Sequence, residues 1–174
     1  MKYLVKYFVV TFFLFFCTAV TAEQNIVVLD LKFVLNNSKA GKGAQDFLKK
    51  SFTDSTKKYT EMEKALKKEE KDLLTKKTVL SKEEYTTKSD SLRKKVIDYQ
   101  SQRRASFDKV ASLRIESKQK LLQAIEPILE TYIKENNVSL VIDKKNTLGG
   151  NPGFDITKTI VEKLDKTLPS LKLK

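Results

Sequence analysis

No glycine or proline interrupts the 83 residues between positions 44 and 126. The segment consists mainly of Lys, Glu, Ser, Thr, Leu and Ala, so a continuous helical conformation is predicted for it. Its apolar residues are sparse and recur in heptad steps. The first series is Phe52, Tyr59, Met62, Leu66, Leu73 and Leu80, and the second is Leu92, Val96, Tyr99, Val110 and Leu113. A stripe this narrow can join two helices along a seam, but it cannot form a thick globular core.

A capping box near the middle of this segment predicts where the chain turns back. Ser81 stands at the N-cap position and Glu84 at the third helical position. We therefore expect a first helix that ends near Thr78 and a second that starts at Lys82. Each arm helix of roughly 40 residues would be about 60 Å long. The alternative is one unbroken helix in which Ser81 has no capping role.

The first 22 residues have the pattern of an export signal. Two lysines precede a run of about 14 apolar residues, and Val20 and Ala22 stand at the −3 and −1 positions of a signal peptidase site. We expect cleavage after Ala22. One alternative is an uncleaved membrane anchor, although about 21 Å of helix is short of a hydrocarbon core of about 30 Å. The other is a lipoprotein attached through Cys17, although two phenylalanines precede it where a small residue is expected.

The two ends of the remaining chain predict a small body of strands and helix. Residues 26–30 and 138–143 are short apolar runs typical of buried strands, and each run ends in Asp. Residues 144–154 are rich in Gly and are predicted to be a loop, with the length of any third strand left open. A last helix follows this loop. The apolar residues assigned to the oligomerisation body are Ile26, Val28, Leu140, Ile142, Ile156, Ile160 and Leu164.

The predicted fold class is α+β, with a long antiparallel α-helical coiled-coil hairpin that projects from a small β/α oligomerisation body. The predicted boundaries are 1–22 for the signal peptide, 23–37 and 136–174 for the body, and 38–135 for the hairpin arm with its tip near 78–82. Pro127 is expected to kink or restart the second arm helix, and Asn136 and Asn137 are expected to end it. Short strands with free edges are marginal alone, so several subunits are expected to join their strands.

The composition argues against catalysis and against a bound cofactor. The chain has no His, its one Cys is Cys17, and it has neither a Walker nor a Rossmann phosphate-binding motif. Gly41 and Gly43 lack the rest of any phosphate loop and are interpreted as a flexible start of the first arm helix. Asp30 and Asp143 invite a paired-carboxylate interpretation, yet Asp at a strand end is typically a turn or cap residue. We expect no enzyme activity, no cofactor and no metal site.

The chain is basic, with a net charge of +12, and residues 44–126 hold 21 basic and 14 acidic side chains. Such an excess attracts acidic partners collectively. The basic residues around the expected tip are Lys76, Lys77, Lys82, Lys88, Arg93, Lys94 and Lys95. Tyr85, Ile97 and Phe107 are candidates for apolar contacts with the same partner. The alternatives are a solvated helix face for each lysine and a place in the helix seam for each apolar residue. No nucleic-acid reader motif occurs, so specific nucleic-acid binding is not expected.

Several segments resemble the Skp/OmpH family of periplasmic chaperones, and the resemblance extends over residues 23–168. The similar segments are the export signal, the strand at 26–30, VLNNSKAG at 34–41, LSKEE at 80–84, NVSLVID at 137–143 and DIT at 155–157. The chain departs from the family at 146–150, where NTLGG stands in place of a frequent third apolar strand.

The resemblance implies a homotrimer whose strands join in a central β-barrel, with three hairpins that surround a cavity like tentacles. It further implies an ATP-independent holding chaperone of the periplasm that binds unfolded outer-membrane proteins and prevents their aggregation before membrane insertion. The basic tip residues and the three apolar candidates then become expected client contacts. Two alternatives stay open: a structural coiled-coil protein of the envelope, and a basic protein that binds anionic lipid or lipopolysaccharide.

Overall fold

The structure is a computed structural model that describes residues 24–173. The elements in chain order are β1 (Asn25–Leu29), α1 (Leu31–Asn37), α2 (Lys39–Thr75), α3 (Lys82–Glu135), β2 (Val138–Asp143) and α4 (Thr157–Thr167). Short 3-10 turns at Lys144–Asn146 and Pro152–Phe154 connect β2 to α4. The fold is thus mostly helical with a small sheet, and the predicted signal peptide with Cys17 lies outside the described residues. Within those residues, no helix combines the length and the apolar character that crossing a membrane requires.

The two long helices α2 and α3 form an antiparallel hairpin, as predicted. Phe52 of α2 packs on Phe107 of α3, while Glu69 further along α2 pairs with Lys95 earlier on α3. The helices contain 37 and 54 residues, which correspond to about 56 Å and about 81 Å. The helix α3 is longer than the expected length of roughly 40 residues, and its last turns pack in the core of the body through Leu121, Ile125 and Ile128.

Helix α3 passes through Pro127 and ends at Glu135. Pro127 does not restart the helix, because Ile125 and Ile128 on either side of it are buried and anchor one continuous helix in the core, and the alternative of a kink stays a prediction. The predicted stop is confirmed, since Asn137 adopts a left-handed conformation with φ of 50° directly after the helix.

Strands β1 and β2 pair in parallel, and a register shift divides their side chains between two faces. Asn25 is opposite Val138, but Ile26 is opposite Leu140, so one residue of β2 is left over. Val27, Leu29 and Val138 are therefore buried on the core side, whereas Ile26 and Leu140 point to the other face. The shift lets both strands contribute apolar residues to both sides of the sheet.

No third strand follows β2 among the described residues. Instead, Asp155 forms an isolated bridge with Val28, on the edge of β1 opposite β2, and the amide of Ile156 donates to the Val28 carbonyl oxygen at 2.9 Å. Strand β1 is thus covered on both edges, while β2 has no strand partner on its outer edge in the described chain. In place of a third strand, the segment after β2 therefore forms two short 3-10 turns and the single bridge at Asp155.

The core lies between the sheet, α4 and the end of α3. Ile160 and Leu164 of α4 are fully buried, and Ile156 is nearly so, as the four-residue spacing predicts. The other buried apolar members are Val27, Leu29, Val34, Ala40, Leu121, Ile125, Ile128 and Val138. This core includes residues of the predicted body and also Ala40, Leu121, Ile125 and Ile128, which lie within the predicted arm at 38–135. The division into body and arm stays a prediction.

The start of α2 is tightly packed, and its interpretation as a flexible segment is wrong. Gly41 is buried within the helix, and a Cβ at this position would collide with the carbonyl oxygen of Leu35. The buried Ser38 caps the helix by accepting a hydrogen bond from the Gly41 amide at 3.2 Å, and Asp165 of α4 accepts another from the Lys39 amide at 2.6 Å. Gly41 thus allows α1 and α2 to approach closely.

Candidate functional site

Aromatic side chains hold the middle of the hairpin together. Tyr59 is 5% exposed, and its ring centroid lies 6.1 Å from that of Tyr99 and 6.4 Å from that of Phe107. Phe107 also meets Phe52 edge to face, with 5.5 Å between their ring centroids. Each such pair contributes about 0.5–1.5 kcal/mol beyond its buried area. Nearer the body, the seam is a buried aliphatic cluster of Leu48, Val110 and Leu113.

Polar contacts cross the same seam. The Tyr59 hydroxyl donates a hydrogen bond to the Gln102 carbonyl oxygen at 3.0 Å, and the hydroxyls of Ser55 and Ser106 lie 2.9 Å apart. These bonds matter because a partly buried polar group without a partner costs about 1–3 kcal/mol. The two arm helices are therefore joined by alternating aromatic and polar layers rather than by a continuous apolar core.

The tip of the hairpin is built by the predicted capping box. The Ser81 hydroxyl accepts a hydrogen bond from the Glu84 amide at 3.2 Å, and the Glu84 carboxylate accepts one from the Ser81 amide at 3.0 Å. Hydrogen bonds from the Ser81 side chain and backbone hold the pKa of the Glu84 carboxyl below its ordinary value. The start of α3 at Lys82 is confirmed, while α2 ends at Thr75, slightly earlier than expected.

The basic side chains predicted around the tip are all exposed. Lys76 and Lys77 lie in the turn, whereas Lys82 opens α3, and the remaining four follow along the first 14 residues of that helix, about 21 Å. Two of the seven have acidic partners: Arg93 is 3.1 Å from Asp90, and Lys95 is 2.5 Å from Glu69 across the hairpin. For the other five, no acidic oxygen of residues 24–173 lies within ion-pair distance.

The face of the sheet opposite the core is apolar and open to solvent. Ile26 is 36% exposed and its register partner Leu140 is 52% exposed, and the pair Val28 and Ile142 continues the same face. Phe154, in the turn beside this sheet, is 50% exposed. Exposed apolar residues on paired strands are unusual for a sheet that stays alone in water.

The carboxylates at the strand ends act as caps. Asp30 accepts a hydrogen bond from the Phe33 amide at 2.7 Å, and Asp143 accepts one from the Lys145 amide at 3.1 Å. These bonds match the cap interpretation of both residues. Within residues 24–173, no group of acidic side chains has the arrangement of a metal site.

Asp155 is the most perturbed carboxylate of the body. Partial burial raises its pKa, but hydrogen bonds from Lys144, at 2.7 Å, and from Thr157 outweigh burial and lower the pKa to about 2. Asp155 therefore ties the turn after β2 to the start of α4. The N-cap position of α4 belongs to Ile156, and the Asp155 carboxylate accepts a hydrogen bond from the Thr157 amide at 2.9 Å.

A comparison with known families connects this architecture to a chaperone fold. The family model described as Outer membrane protein (OmpH-like) matches residues 25–164, which include the sheet, the whole hairpin and most of α4. The chain belongs to the OmpH-like family. The resemblance stated from the sequence is thereby confirmed.

Two relatives show how far the likeness to OmpH-like proteins extends. A Skp-like protein of Pseudomonas aeruginosa is 22% identical over 145 residues, which cover 83% of this chain and 86% of that protein. The crystal structure of an OmpH-like protein from Caulobacter crescentus superimposes with a TM-score of 0.80 at 20% identity, over 88% of this chain and 90% of that chain. At such identity the structural match demonstrates a shared fold.

The three apolar contact candidates of this OmpH-like chain differ in their surroundings. Ile97 is 58% exposed, as a contact residue should be. Tyr85 is half-buried at the tip beneath Lys77, whose ammonium lies 5.9 Å from the ring centroid. Phe107 is half-buried and packs in the seam, so only part of its ring is available to a partner. Client contact by any of the three stays a prediction.

Sequence reasoning overlooked the exposed apolar residues of the turn and of the outer helix surface. Val79 is 79% exposed at the tip, Leu74 is 58% exposed one turn earlier, and Ile115 of α3 is 63% exposed. They escaped notice because none belongs to the heptad series that identified the seam. Their position outside the two heptad series was the signal that could have identified them as exposed apolar residues.

Proposed function

We propose that this protein is an ATP-independent holding chaperone of the periplasm, which binds unfolded outer-membrane proteins and prevents their aggregation before insertion. Membership of the OmpH-like family supports the chaperone role, and the OmpH-like protein from Caulobacter crescentus shares the fold. The sequence has neither a Walker nor a Rossmann phosphate-binding motif that would couple binding to nucleotide hydrolysis. In this proposal, release follows when the client folds elsewhere.

The observation that carries the proposal is the long hairpin with its unbalanced positive charge. Residues 44–126 contain 21 basic and 14 acidic side chains, on helices joined by a narrow seam of aromatic and aliphatic contacts. A basic surface attracts an acidic unfolded chain over about 8 Å at physiological salt. Many weak contacts along such arms hold one client firmly, because each contact raises the effective concentration of the next.

We further propose that three copies assemble through the sheet into a β-barrel, so that three arms surround one cavity. The support is physical: a two-stranded sheet is marginal alone, its β2 edge has no partner within residues 24–173, and its outer face exposes Ile26 and Leu140. Pairing of β2 with a strand of a neighbouring copy would satisfy the free backbone hydrogen-bonding groups of its edge. Closure of the strands into a barrel would enclose the apolar face, which also includes Val28 and Ile142.

The proposed compartment rests on the sequence pattern of the N-terminal segment. We propose that residues 1–22 direct export and are removed after Ala22, which leaves the mature protein in the periplasm without a cysteine. The hairpin at 38–135 would then act as the client-binding arm, and residues 23–37 with 136–174 as the assembly body. Mass spectrometry of the exported protein would give the cleavage position directly.

The test combines assembly with activity. The purified mature chain is mixed, without nucleotide, with a urea-denatured outer-membrane β-barrel protein on dilution, and light scattering is followed while native mass spectrometry gives the subunit count. We expect suppressed scattering at about one trimer per client. A passive envelope spacer would leave the scattering unchanged, and that result would remove the chaperone proposal. A monomeric mass would remove the trimer.

A further inference from the structure

An open groove of about 1020 Å³ lies where the arm joins the body. Helix α1, the first turns of α2, the root of α3 and the end of β2 surround it. Its apolar surface comes from Leu35, Leu48, Phe52 and Leu121, while Gly41 lies deeper in the wall. Phe52 is 52% exposed, so a large aromatic surface remains open to solvent inside the groove. The volume is at the upper end of ordinary ligand pockets, at about 300–1000 Å³.

Positive charge surrounds this apolar surface. Five basic side chains line the groove, against the two carboxylates of Asp46 and Asp143. Asp143 is already engaged by Lys145 at 3.2 Å. The other basic residues are Lys32, Lys49, Arg114 and Lys118, and no acidic oxygen of residues 24–173 lies within 4.0 Å of their charged groups.

The spacing of two of these charges is unfavourable for the chain alone. Arg114 and Lys118 are four residues apart on α3, so they are neighbours on one helix face, and like charges at this spacing destabilise a helix. A bound carboxylate would relieve the repulsion, and the exposed ring of Phe52 would bury an apolar side chain beside it.

We infer that this root groove binds a segment of unfolded polypeptide in which apolar side chains are flanked by carboxylates. The inference rests on the proposed holding function and adds a second contact region to the tip lysines. From Phe52 to Lys76 the helix α2 rises about 36 Å. One client chain engaged at both the root and the tip would be held at two distant points, which strengthens binding through effective concentration. The groove is open to solvent, so a bound chain can continue beyond it.

Charge reversal provides the first test. The variant K49E/K118E changes the groove, and K57E/K109E makes the same change in charge at exposed arm positions outside both groove and tip. Binding of a labelled, urea-denatured outer-membrane protein is titrated at low salt, with helix content checked by circular dichroism. We expect at least tenfold weaker binding for K49E/K118E and less than a threefold loss for K57E/K109E. Equal losses, or no loss in the groove variant, would overturn the inference.

A fluorescent reporter in the groove provides the second test, which leaves the charges of the groove unchanged. Residues 24–173 contain no cysteine, so Gln45→Cys places a single thiol in the groove of the mature chain, and Ser101→Cys supplies an exposed control on α3. With an environment-sensitive dye, client should shift the emission at position 45 and not at 101. A shift caused by anionic phospholipid vesicles instead of client, or by self-assembly before client is added, would overturn the inference in favour of those occupants.

The two proposals fail separately. If the wild-type chain suppresses aggregation but the reporter and K49E/K118E show no groove contact, the holding function stands and the root groove is not its client site. If the wild-type chain neither binds client nor suppresses aggregation, both are wrong.

Discussion

The hydroxyl of Tyr59 on α2 donates a hydrogen bond to the main-chain carbonyl oxygen of Gln102 on α3, at 3.0 Å. The ring of Tyr59 is 5% exposed and lies against Tyr99 and Phe107. One side chain therefore joins the helices by both an apolar and a polar contact. Because the seam is narrow, few other residues can compensate for its loss.

Tyr59→Phe should lower the free energy of unfolding by about 1 kcal/mol, the usual net contribution of such a hydrogen bond. Tyr59→Ala should cost about 3–5 kcal/mol because it also removes the buried ring. Urea denaturation of the mature protein, followed by circular dichroism, measures both. Tyr85→Phe is the matched control, since no hydrogen bond of its hydroxyl to residues 24–173 is found. Equal losses from the two Tyr→Phe changes would contradict the seam contact.

The features that were predictable from the sequence are local. The capping box at Ser81 and Glu84 and the left-handed stop at Asn137 depend on residues within a few positions of each other. A short stretch of sequence is therefore enough to predict them. The heptad series likewise identified Tyr59 and Val110 as buried, because a helix repeats its faces at fixed steps.

The features that escaped prediction depend on approach between distant segments. The register shift opposite Ile26 decides which face of β2 meets the core, and an apolar run such as VSLVID reads the same in either register. Gly41 was misinterpreted because its neighbour Leu35 is brought against it only by the turn at Ser38. The root groove is lined by residues of four separate elements, so no short sequence motif predicts it.

Ser81→Ala should destabilise the hairpin tip by about 1 kcal/mol, the typical contribution of an N-cap. The loss should be local, because the amides at the start of α3 lose their acceptor while the body is unaffected. Hydrogen exchange should accelerate at 82–86 and remain unchanged at 121–128. Ser81→Asp, which retains an acceptor, should restore protection, and Ser91→Ala, at an exposed position inside α3, should have no comparable effect. Unchanged exchange in Ser81→Ala would argue against the cap.

The body should lose stability in acid through Asp155. Its folded-state pKa of about 2 lies below the ordinary value of about 3.9. Asp155 therefore contributes its full stabilisation above about pH 5, and the contribution is lost progressively as the pH falls through the folded-state pKa towards about pH 1. Asp155→Asn should lower stability by about 1–2 kcal/mol at pH 7, and the two denaturation curves should converge as the pH falls below about 2. A constant difference across this range would exclude the ion pair with Lys144 as its source.

Capture of an acidic client should weaken with salt if the tip lysines attract it. The Debye length falls from about 10 Å at 0.1 M salt to about 3 Å at 1 M, so the association rate should fall several-fold over that range. Lys76→Glu combined with Lys77→Glu should reproduce much of the loss at low salt. Stopped-flow fluorescence with a labelled unfolded outer-membrane protein gives the rates. A salt-independent rate would remove the electrostatic part of the proposed function and leave the apolar contacts.

Leu140→Lys should separate assembly from folding. Leu140 is 52% exposed on the outer face of the sheet, so a lysine there leaves the core of Val27, Ile160 and Leu164 intact. In the proposed trimer the same position would be covered by a neighbouring copy, and three buried ammonium groups would be brought close together, which is strongly unfavourable. Native mass spectrometry should therefore show monomers of Leu140→Lys with largely retained helix content. Gln100→Lys, an equivalent charge change on the exposed arm, should remain assembled. A stable trimer of Leu140→Lys would mean that the subunits meet through another surface, because no packed interface accommodates three unpaired charges without loss.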